Sequence, residues 1–305
     1  MGNNCKICND EFGNIEDFHK HLKTHKVTQK KYYLKHYPKK DPFDGKDIEY
    51  RNAIQYLETE YNSLSNLISH LKSVSKKEGQ KICEKIISQR AAKKGLKFSP
   101  SQVESKSLNM PPVSFLIDYL DDYTKTFDKH NLETRYSYVD SYIGFNNTKE
   151  KILIDTREQT PILFENSKVQ KLNYGDYTLE RDTSLVIERK SLNDFIGTLS
   201  KGYDRFVREI QGGIVNQCYF IVLVEAPIST ALNFHKMRQF NRFCKSSGGF
   251  IFHKLRSITE EYRNVQFMFV NDRKESKDYI EKLLGFGREL VSRMDLQYNY
   301  DKNII

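Results

Sequence analysis

Three short runs of β-forming residues, each close to a carboxylate, constrain this chain more than any other feature. They are residues 151–154 beside Asp155, residues 171–174 beside Asp176, and residues 185–187 beside Glu188. Strand ends are where a rigid sheet can present side chains to a common point, so we expect the three carboxylates to lie close together. The sequence therefore predicts a sheet with an acidic edge.

A lysine joins this acidic set in the arrangement Asp176…Glu188-x-Lys190. Side chains alternate along a strand, so Glu188 and Lys190 are expected to point to the same face. Two carboxylates can hold Mg²⁺ against a phosphodiester, and a neighbouring ammonium can orient a water or neutralise charge in the transition state. The set indicates hydrolysis of phosphodiester bonds. The alternative is that Glu-x-Lys is a common tripeptide and that Asp176 only closes a turn.

The order of these motifs resembles a known family. Gly175-Asp176, Glu188-Arg189-Lys190 and Asp194 resemble the signature Gly-Asp…Glu-Arg-Lys-x-x-x-Asp of the nuclease domain of the xeroderma pigmentosum group F family, over about residues 151–290. Asp155-x-x-Glu158 is similar to the acidic end of that domain's first core strand. The resemblance implies an α/β restriction-endonuclease-like fold with a mixed central sheet flanked by helices. It also implies structure-specific cleavage of DNA.

The predicted roles in the nuclease domain follow from this comparison and from side-chain chemistry. We expect Asp176 and Glu188, with Asp155 as an additional ligand, to bind Mg²⁺ or Mn²⁺, and Lys190 to position water or stabilise phosphate charge. Glu158 is expected in the outer shell of the metal, and Arg189 either contacts a phosphate or supports the carboxylates, since a guanidinium suits both. Asp194 is either a site residue or part of a helix cap with Ser191. Three further cations are predicted to contact DNA: Lys201, Arg205 and Arg208. Glu209 can pair with Arg205 four residues earlier.

The N-terminal segment has the spacing of a zinc site. Cys5-x2-Cys8-x12-His21-x3-His25 is the ligand pattern of a two-cysteine, two-histidine zinc finger, and Phe12, Phe18 and Leu22 supply its packing residues. Tetrahedral Zn²⁺ would tie a small hairpin to a helix that is too short to fold unaided. The start of that helix is acidic and has few base-reading groups, so the finger either contacts DNA or docks a protein partner.

Basic clusters predict a polyanionic partner. The formal net charge is +9, residues 20–40 contain eight Lys and no acidic residue, and residues 72–97 contain nine Lys or Arg. Such clusters supply phosphate binding that depends on salt and not on base sequence. Lys77, Lys81 and Lys85 lie four residues apart and would follow one helix face, either along a DNA backbone or as a solvated face. We expect DNA to be the partner.

The chain is expected to contain two domains and a small module. From N- to C-terminus the predicted parts are a zinc finger (1–28), a basic linker (29–46), a mainly helical and DNA-binding region (47–132), a linker (133–150), the nuclease domain (151–295) and a tail (296–305). Residues 97–132 weakly resemble a repeat that accompanies homing endonucleases, with a plain helical spacer as the alternative. Predicted strands at 218–225 and 265–270 alternate with helices at 191–210, 229–244, 250–258 and 275–294, as in an α/β domain.

Other protein classes fit poorly. The longest apolar run, residues 218–224, is too short to cross a bilayer, and no signal peptide is visible. Cys83, Cys218 and Cys244 are isolated and are expected to be buried thiols, which indicates a reducing intracellular compartment: the cytoplasm or nucleoid of a host cell, or a nucleus. Abundant Lys, Asn and Tyr with no Trp hints at an AT-rich genome such as that of a phage.

The sequence as a whole predicts a Mg²⁺-dependent DNA endonuclease acting on branched or otherwise structured DNA in repair or recombination. Two alternatives remain: a site-specific endonuclease of the homing or mobile-element type, and a catalytically inactive DNA-binding scaffold whose finger docks a protein. Whether the chain forms a homodimer stays open. Too few residues follow the last predicted helix for the paired helix-hairpin-helix unit that often ends members of the resembled family.

Overall fold

The structure is a computed structural model, and it describes residues 4–50, 53–139, 148–237, 240 and 246–305. The chain divides into two compact units, Met1–Lys94 and Gly95–Ile305. The predicted linker segment 140–147 and Cys244 lie outside the described residues. Because the division at residue 94 falls inside the segment expected as one helical region, the two units are described separately.

The first unit is helical. An antiparallel bridge joins Asn4 and Glu11. The helices that follow are α1 (Ile15–His21), α2 (Gln29–His36), α3 (Ala53–Glu58), α4 (Leu64–Ser73) and α5 (Lys76–Arg90), with a 3-10 turn at Ala92–Lys94. Side chains of Asn14, Thr28, Ser63 and Ser75 accept hydrogen bonds at the starts of α1, α2, α4 and α5. The start of the expected helical region 47–132 holds two separate helices, α3 and α4, because the Ser63 side chain caps a new helix. Part of the expected linker 29–46 is helix α2.

Aromatic side chains form the core of the N-terminal part of this unit. Phe18 and Leu22 of the finger pack in one buried cluster with Tyr32 and Tyr33 of α2. The same cluster includes Ile48, Tyr50 and Tyr56. The Tyr33 and Tyr56 rings stack with their centroids 4.4 Å apart. The finger therefore shares its core with residues 29–56. In the second half of the unit Cys83 is buried, as expected, and burial raises the pKa of its thiol to about 12.

The second unit is built on a six-stranded sheet, counted over the described residues. Three helices precede it: α6 (Gln102–Ser107), α7 (Val113–Tyr119) and α8 (Tyr123–Asp128). The strands are β1 (Ile152–Ile154), β2 (Ser167–Val169), β3 (Tyr177–Leu179), β4 (Leu185–Lys190), β5 (Tyr219–Glu225) and β6 (Val265–Val270). Helices α9 (Leu192–Leu199), α10 (Tyr203–Val215), α11 (Ile228–Asn233), α12 (Gly248–Glu261), α13 (Arg273–Phe286), α14 (Arg288–Arg293) and α15 (Leu296–Asp301) complete it.

The sheet is mixed, in the order β2-β1-β3-β4-β5-β6. Strand β3 is antiparallel to both its neighbours, whereas the β1–β2, β4–β5 and β5–β6 pairs are parallel. Alternate residues of β5 face two different cores: Val222 and Val224 contact the cluster formed with α9, α10 and α12, while Ile221 and Leu223 contact the cluster formed with α13. The expected fold, an α/β domain with a mixed central sheet covered by helices on both faces, is confirmed.

Several elements differ from their predicted positions. Strand β6 matches its prediction, and β5 begins one residue later than expected. Residues 171–174 form no strand; β3 begins instead at Tyr177, after Asp176. Gly175, with φ of +65°, lets the chain turn into β3 while it lies against β4, where a Cβ would be 2.9 Å from Val186 Cβ. The short strand β2 was not predicted.

The predicted helices are also more broken than expected. The expected helix 191–210 is interrupted at residues 200–202, which gives α9 and α10. The expected helix 275–294 breaks at Gly287, where φ is +75°. Helix α12 begins at Gly248, two residues before the expected start at 250, and a Cβ on Gly248 would lie 1.9 Å from Leu232 O. The expected tail 296–305 contains α15. The Gln297 side chain of α15 accepts a hydrogen bond from Phe269 N of the edge strand β6 at 2.7 Å.

A buried ion pair fixes residues 95–136 to the helices of the sheet domain. Arg135 Nη2 donates to Glu104 Oε2 at 2.8 Å, and both side chains are almost fully buried. Arg135 Nη1 also donates to Thr259 O of α12 at 2.6 Å. Burial alone would raise the pKa of Glu104, but Arg135, Thr259 and the Ser101 amide together lower it. The predicted domain boundaries at residues 132, 150 and 295 remain predictions.

Removing one partner of this pair should destabilise the fold strongly. We expect Glu104→Gln to lower the free energy of unfolding by about 3–5 kcal/mol, because it leaves the Arg135 charge buried without a counter-ion. Urea unfolding at pH 7 measures this. Glu133→Gln is the control, since it breaks the exposed Glu133–Arg263 pair and should cost less than about 1 kcal/mol.

The same pair predicts a pH dependence. The pKa of Glu104 is lowered in the folded state. Its contribution to the free energy of unfolding is therefore present at pH values above the unfolded pKa of about 4.3, and it is lost as the pH falls below that. If Glu104→Gln and Glu133→Gln destabilise the protein equally, the assigned role of the pair is wrong.

Candidate active site and zinc site

The acidic edge predicted from the sequence is held together by backbone hydrogen bonds around Asp176. Its N–H donates to Ile187 O of β4 at 2.8 Å, and its carbonyl accepts from Asp155 N, at the end of β1, at 2.9 Å. Its side-chain Oδ2 accepts from Arg189 N at 2.8 Å. The Asp176 backbone is thus bonded to both strands that flank β3, and the Arg189 N–H orients its carboxylate.

Asp155 lies beside Asp176, but its carboxylate is already engaged. Oδ1 accepts from Arg157 N at 2.6 Å and from Arg157 Nε at 2.8 Å. Oδ2 accepts from Arg157 Nη2 at 2.9 Å and from Leu172 N at 2.8 Å. The Asp155 side chain is 1% exposed. Burial alone would raise the pKa of Asp155, and these four donors lower it. They hold the loop after β1 against residue 172.

The Asp176 carboxyl is in an environment that disfavours its charge. Burial, and then the negative charge of Glu188, raise the pKa of Asp176 to about 8, although the Arg189 amide opposes the shift. This folded-state pKa lies above the unfolded value of about 3.9. The Asp176 carboxyl therefore makes its full contribution to the free energy of unfolding only below about pH 3.9. Its contribution is lost as the pH rises towards 8. A cation near Asp176 and Glu188 would remove the repulsion, so the residues present fit a divalent metal.

Glu188 and Lys190 point to the same face, as the alternation of β4 predicts. Lys190 Nζ donates to Glu188 Oε1 at 2.8 Å, and both side chains are at most 15% exposed. The Lys190 ammonium also lies 5.3 Å from the ring centre of Phe206 in α10. The lysine is therefore held between the acidic edge and α10.

Arg189 points to the other face and is held by two carboxylates. Its Nη1 donates to Glu225 Oε1 at 2.8 Å and its Nη2 to Glu158 Oε1 at 3.0 Å. Nη2 also donates to Thr160 O at 3.0 Å. The guanidinium is 7% exposed. Glu225 was not predicted as a site residue, although it ends an apolar strand just as Asp155 does, and that signal would have found it.

The predicted site residues are thus only partly brought together. Asp176, Glu188 and Lys190 form one group, and Arg189 with Glu158 forms a second group beside it. Over the described parts of the chain, the only set of three or more Cys, His, Asp or Glu side chains close enough to share a metal ion is the N-terminal one. The roles of Asp155, Asp176 and Glu188 as metal ligands therefore stay predictions.

The remaining predicted residues are exposed. Asp194 closes the cap of α9, where Ser191 Oγ donates to its Oδ2 at 2.6 Å and accepts from its N–H at 3.2 Å. Lys201, Arg205 and Arg208 are exposed on and just before α10. In the first unit, Lys77, Lys81 and Lys85 are exposed along α5, and Lys85 pairs with Glu60 at 2.7 Å. These positions suit contacts with a backbone phosphate, and such contacts stay predictions.

The cysteine and histidine set of the finger is assembled. The ligand atoms of Cys5, Cys8, His21 and His25 all lie within 4.8 Å of one another. Cys8 Sγ is 3.2 Å from His21 Nε2, and Cys5 Sγ is 3.6 Å from His25 Nε2. Two thiols and two imidazoles at these separations fit a tetrahedral Zn²⁺ ion.

The outward positions of the finger helix are bonded to one another. Asn14 Nδ2 donates to Asp17 Oδ2 at 2.7 Å, and Lys20 Nζ donates to Asp17 Oδ1 at 3.1 Å. These three residues stand just before the helix and at its third and sixth positions, the places from which a DNA-reading finger contacts bases. On the neighbouring face, His19 Nε2 lies 2.8 Å from Tyr33 OH of α2.

A mixed sheet with an acidic edge, covered by helices on both faces, defines an α/β domain of the architecture that the sequence predicted. Residues 154–283 match the ERCC4 domain. That match confirms, for this segment, the family recognised from the motifs, and it includes Asp155, Asp176, Glu188 and Lys190. The matched segment is less than half of the chain.

Among solved structures, the chain is similar to XPF from Aeropyrum pernix, with 18% identity and a TM-score of 0.34 over 45% of this chain and 66% of that one. It is also similar to the same protein in a complex with DNA, with 20% identity and a TM-score of 0.35 over 45% of this chain and 64% of that one. The match thus spans slightly less than two thirds of those proteins. A comparison with curated proteins gave no match. Across the described residues, every helix is too short or too polar to cross a membrane.

Loss of zinc should disorder the tyrosine cluster, because Cys5 packs within it. We expect the purified protein to contain about one zinc per chain and the Cys8→Ser variant to contain none. The near-ultraviolet circular dichroism, which reports Tyr in a chain without Trp, should weaken in the variant. Cys83→Ala is the control, since it removes a thiol away from the set. An unchanged spectrum after zinc loss would contradict the assignment.

Proposed function

We propose that this chain is a divalent-metal-dependent DNA endonuclease that hydrolyses phosphodiester bonds in branched or otherwise structured DNA. The observation that carries the proposal is the acidic edge, where Lys190 bonds Glu188 and the Glu188 charge acts on Asp176, within the segment that matches the ERCC4 domain. Two carboxylates that repel each other beside an ammonium are suited to a metal ion and a phosphate, and they are poorly suited to a purely structural role.

Asp176 and Glu188 would hold Mg²⁺ or Mn²⁺. When bound, the cation activates water and offsets charge on the phosphate. The raised pKa of Asp176 gives this step a pH dependence, since the carboxyl must lose its proton to act as a ligand. Metal affinity should therefore increase as the pH rises towards 8. The four hydrogen bonds to the Asp155 carboxylate favour a supporting role for that residue.

Lys190 is the group best placed to act on the substrate. Its ammonium is paired with Glu188. A cation that takes up the Glu188 charge would loosen this pair and leave the ammonium available to a phosphate oxygen or to the attacking water. Arg189, by contrast, is bound to Glu158 and Glu225, which favours the second of its two predicted roles, support of the carboxylates.

DNA contacts would come from both units. The net charge of +9 and the exposed Lys77, Lys81 and Lys85 support salt-dependent backbone binding by the first unit. Lys201, Arg205 and Arg208 would add contacts near the cleavage site. The finger would bind Zn²⁺ and stabilise the tyrosine cluster. The bonds among Asn14, Asp17 and Lys20 favour this anchoring role over base reading. We place the activity in DNA repair or recombination because the motifs resemble a family with that role.

The proposal is tested by incubating the protein with duplex, single-stranded, flap and junction DNA, in Mg²⁺ and in EDTA. We expect cleavage of a branched substrate only with Mg²⁺. Asp176→Asn should abolish cleavage, and Lys190→Ala should slow it by about 100-fold or more, by loss of a group that acts in the transition state.

Both variants should still bind the same DNA in Ca²⁺, measured by fluorescence anisotropy. Glu165→Gln, which neutralises an exposed carboxylate away from the site, is the control and should cut at the wild-type rate. Cleavage by Asp176→Asn at that rate would rule out the assigned site. Cleavage of one duplex sequence only would instead favour the homing-type alternative.

A further inference from the structure

The Lys254 ammonium of α12 is held by two aromatic rings instead of a carboxylate. Its Nζ lies 4.1 Å from the ring centre of Tyr203 in α10 and 5.9 Å from the ring centre of Phe250. Across the described residues, this half-buried ammonium forms no hydrogen bond or ion pair. The rings offset part of the cost of burying its charge. Its three N–H donors remain available to an anion.

The Phe250 ring beside this ammonium is open to solvent, with 44% of the residue exposed. Its position is fixed by the helix, because Phe250 N donates to Ser247 Oγ at 3.2 Å and the next two side chains, Ile251 and Phe252, are buried. In the part of the chain that the structure describes, no other aromatic ring packs against Phe250. A single exposed apolar side chain is common on protein surfaces. An open ring next to an ammonium without an anionic partner is a more specific arrangement.

Helix α10 places these residues near the acidic edge. The Lys190 ammonium, which is bonded to Glu188, lies 5.3 Å from the ring centre of Phe206 in α10. Tyr203 is three residues before Phe206 and therefore lies on the same face of the helix. The ring that holds Lys254 is thus about one helical turn, roughly 5 Å along α10, from the ring that contacts Lys190.

The charge around these residues favours a polyanion. Three further exposed cations lie on and just before α10: Lys201, Arg205 and Arg208. Two carboxylates are also near, since burial and then the negative charges of Glu261 and Asp204 raise the pKa of Tyr203. With Lys254, the cations outnumber the carboxylates on this part of the surface. Such a surplus attracts a phosphate backbone.

We propose that Phe250, Lys254 and Tyr203 form a platform that binds an unpaired strand of the DNA substrate beside the cleavage site. A base would stack on the exposed Phe250 ring, Lys254 would contact a backbone phosphate, and Tyr203 would hold Lys254 in place. Stacking of this kind suits unpaired bases of any sequence, since every base has a π face and a duplex keeps its bases stacked on one another. This inference rests on the proposed function. The competing explanation is structural, in which Lys254 only joins α12 to α10.

A fluorescent probe tests the stacking directly, because the chain contains no Trp. Phe250→Trp places the only indole on the platform, and its fluorescence is followed while mixed-sequence DNA is added in Ca²⁺. We expect a single strand to quench the indole and a blunt duplex of the same length to leave it unchanged. Leu163→Trp is the control and should not be quenched: Leu163 is 62% exposed, and its neighbours Ile162 and Phe164 pack on the opposite face of the sheet.

Affinity for the same single strand, measured by fluorescence anisotropy in Ca²⁺, separates stacking from simple apolar contact. Phe250→Leu keeps an apolar side chain but removes the ring, and we expect it to bind about 5-fold or more weakly than the wild type, the usual loss for one base stacked on an aromatic ring. Phe250→Tyr keeps the ring and should bind within about twofold of the wild type. Binding of the duplex should be the same in all three proteins.

The salt dependence of single-strand binding tests the phosphate contact of Lys254. Each such contact adds about 0.7 to the slope of log affinity against log salt, so Lys254→Met should lower the slope by about that amount. Lys282→Met is the matched control. Lys282 Nζ also lies over a tyrosine ring, 5.0 Å from the centre of Tyr279, but it belongs to α13 on the opposite face of the sheet. Its removal should leave the slope unchanged.

Several results would overturn the platform. They are wild-type affinity of Phe250→Leu for the single strand, an equal loss in Phe250→Tyr, equal quenching of the two indoles, and an unchanged salt slope in Lys254→Met. The proposed function is judged separately, by cleavage of branched DNA in Mg²⁺. If the wild type does not cut, the proposed function fails. If the wild type cuts and Phe250→Leu binds the single strand as tightly as the wild type does, only the inference about the platform fails.

Discussion

Burial of the Asp176 carboxyl beside the negative charge of Glu188 is the constraint on which the rest of the site depends. The Asp176 backbone is bonded to both flanking strands, and the Arg189 N–H donates to the Asp176 side chain. These bonds hold the Asp176 carboxyl at the acidic edge. The consequence is a carboxyl with a pKa of about 8, which the fold tolerates because the packing around it is extensive.

The other charged groups of the acidic edge have separate tasks. Asp155 holds Arg157 and the loop after β1, while Glu158 and Glu225 hold Arg189 on the opposite face of β4. The Asp155–Arg157 pair is balanced, whereas two carboxylates share the single guanidinium of Arg189. Both sets stiffen the elements that carry Asp176 and Glu188. Lys190 and α10 lie on the other face of β4, where Lys190 pairs with Glu188. Rigid support of a small reactive group is what precise positioning of a metal and a phosphate requires.

The sequence was most informative where one local pattern determines the outcome. Neighbouring residues alone predicted three features: the apolar run of β6, the spacing of Cys5, Cys8, His21 and His25, and the position of Glu188 and Lys190 on one face. The displaced strand β3 and the unpredicted β2 are three residues long, too short for a period of two to be visible. The Glu104–Arg135 pair depends on a contact between distant segments, which a single sequence does not display. Glu225, by contrast, ends an apolar strand, and that local signal was present in the sequence. The helix breaks at residues 200–202 and at Gly287 were hidden because apolar spacing continues across them.

The central claim is that a cation replaces a proton at Asp176, and counting that proton tests it most directly. Mn²⁺ binding is titrated by calorimetry at pH 7 in buffers of different ionisation enthalpy, and the dependence of the heat on the buffer gives the protons released. With a pKa of about 8, Asp176 is mostly protonated at pH 7, so the account predicts release of about one proton per cation bound. Binding without proton release, with an affinity that stays constant between pH 6 and pH 9, would contradict it.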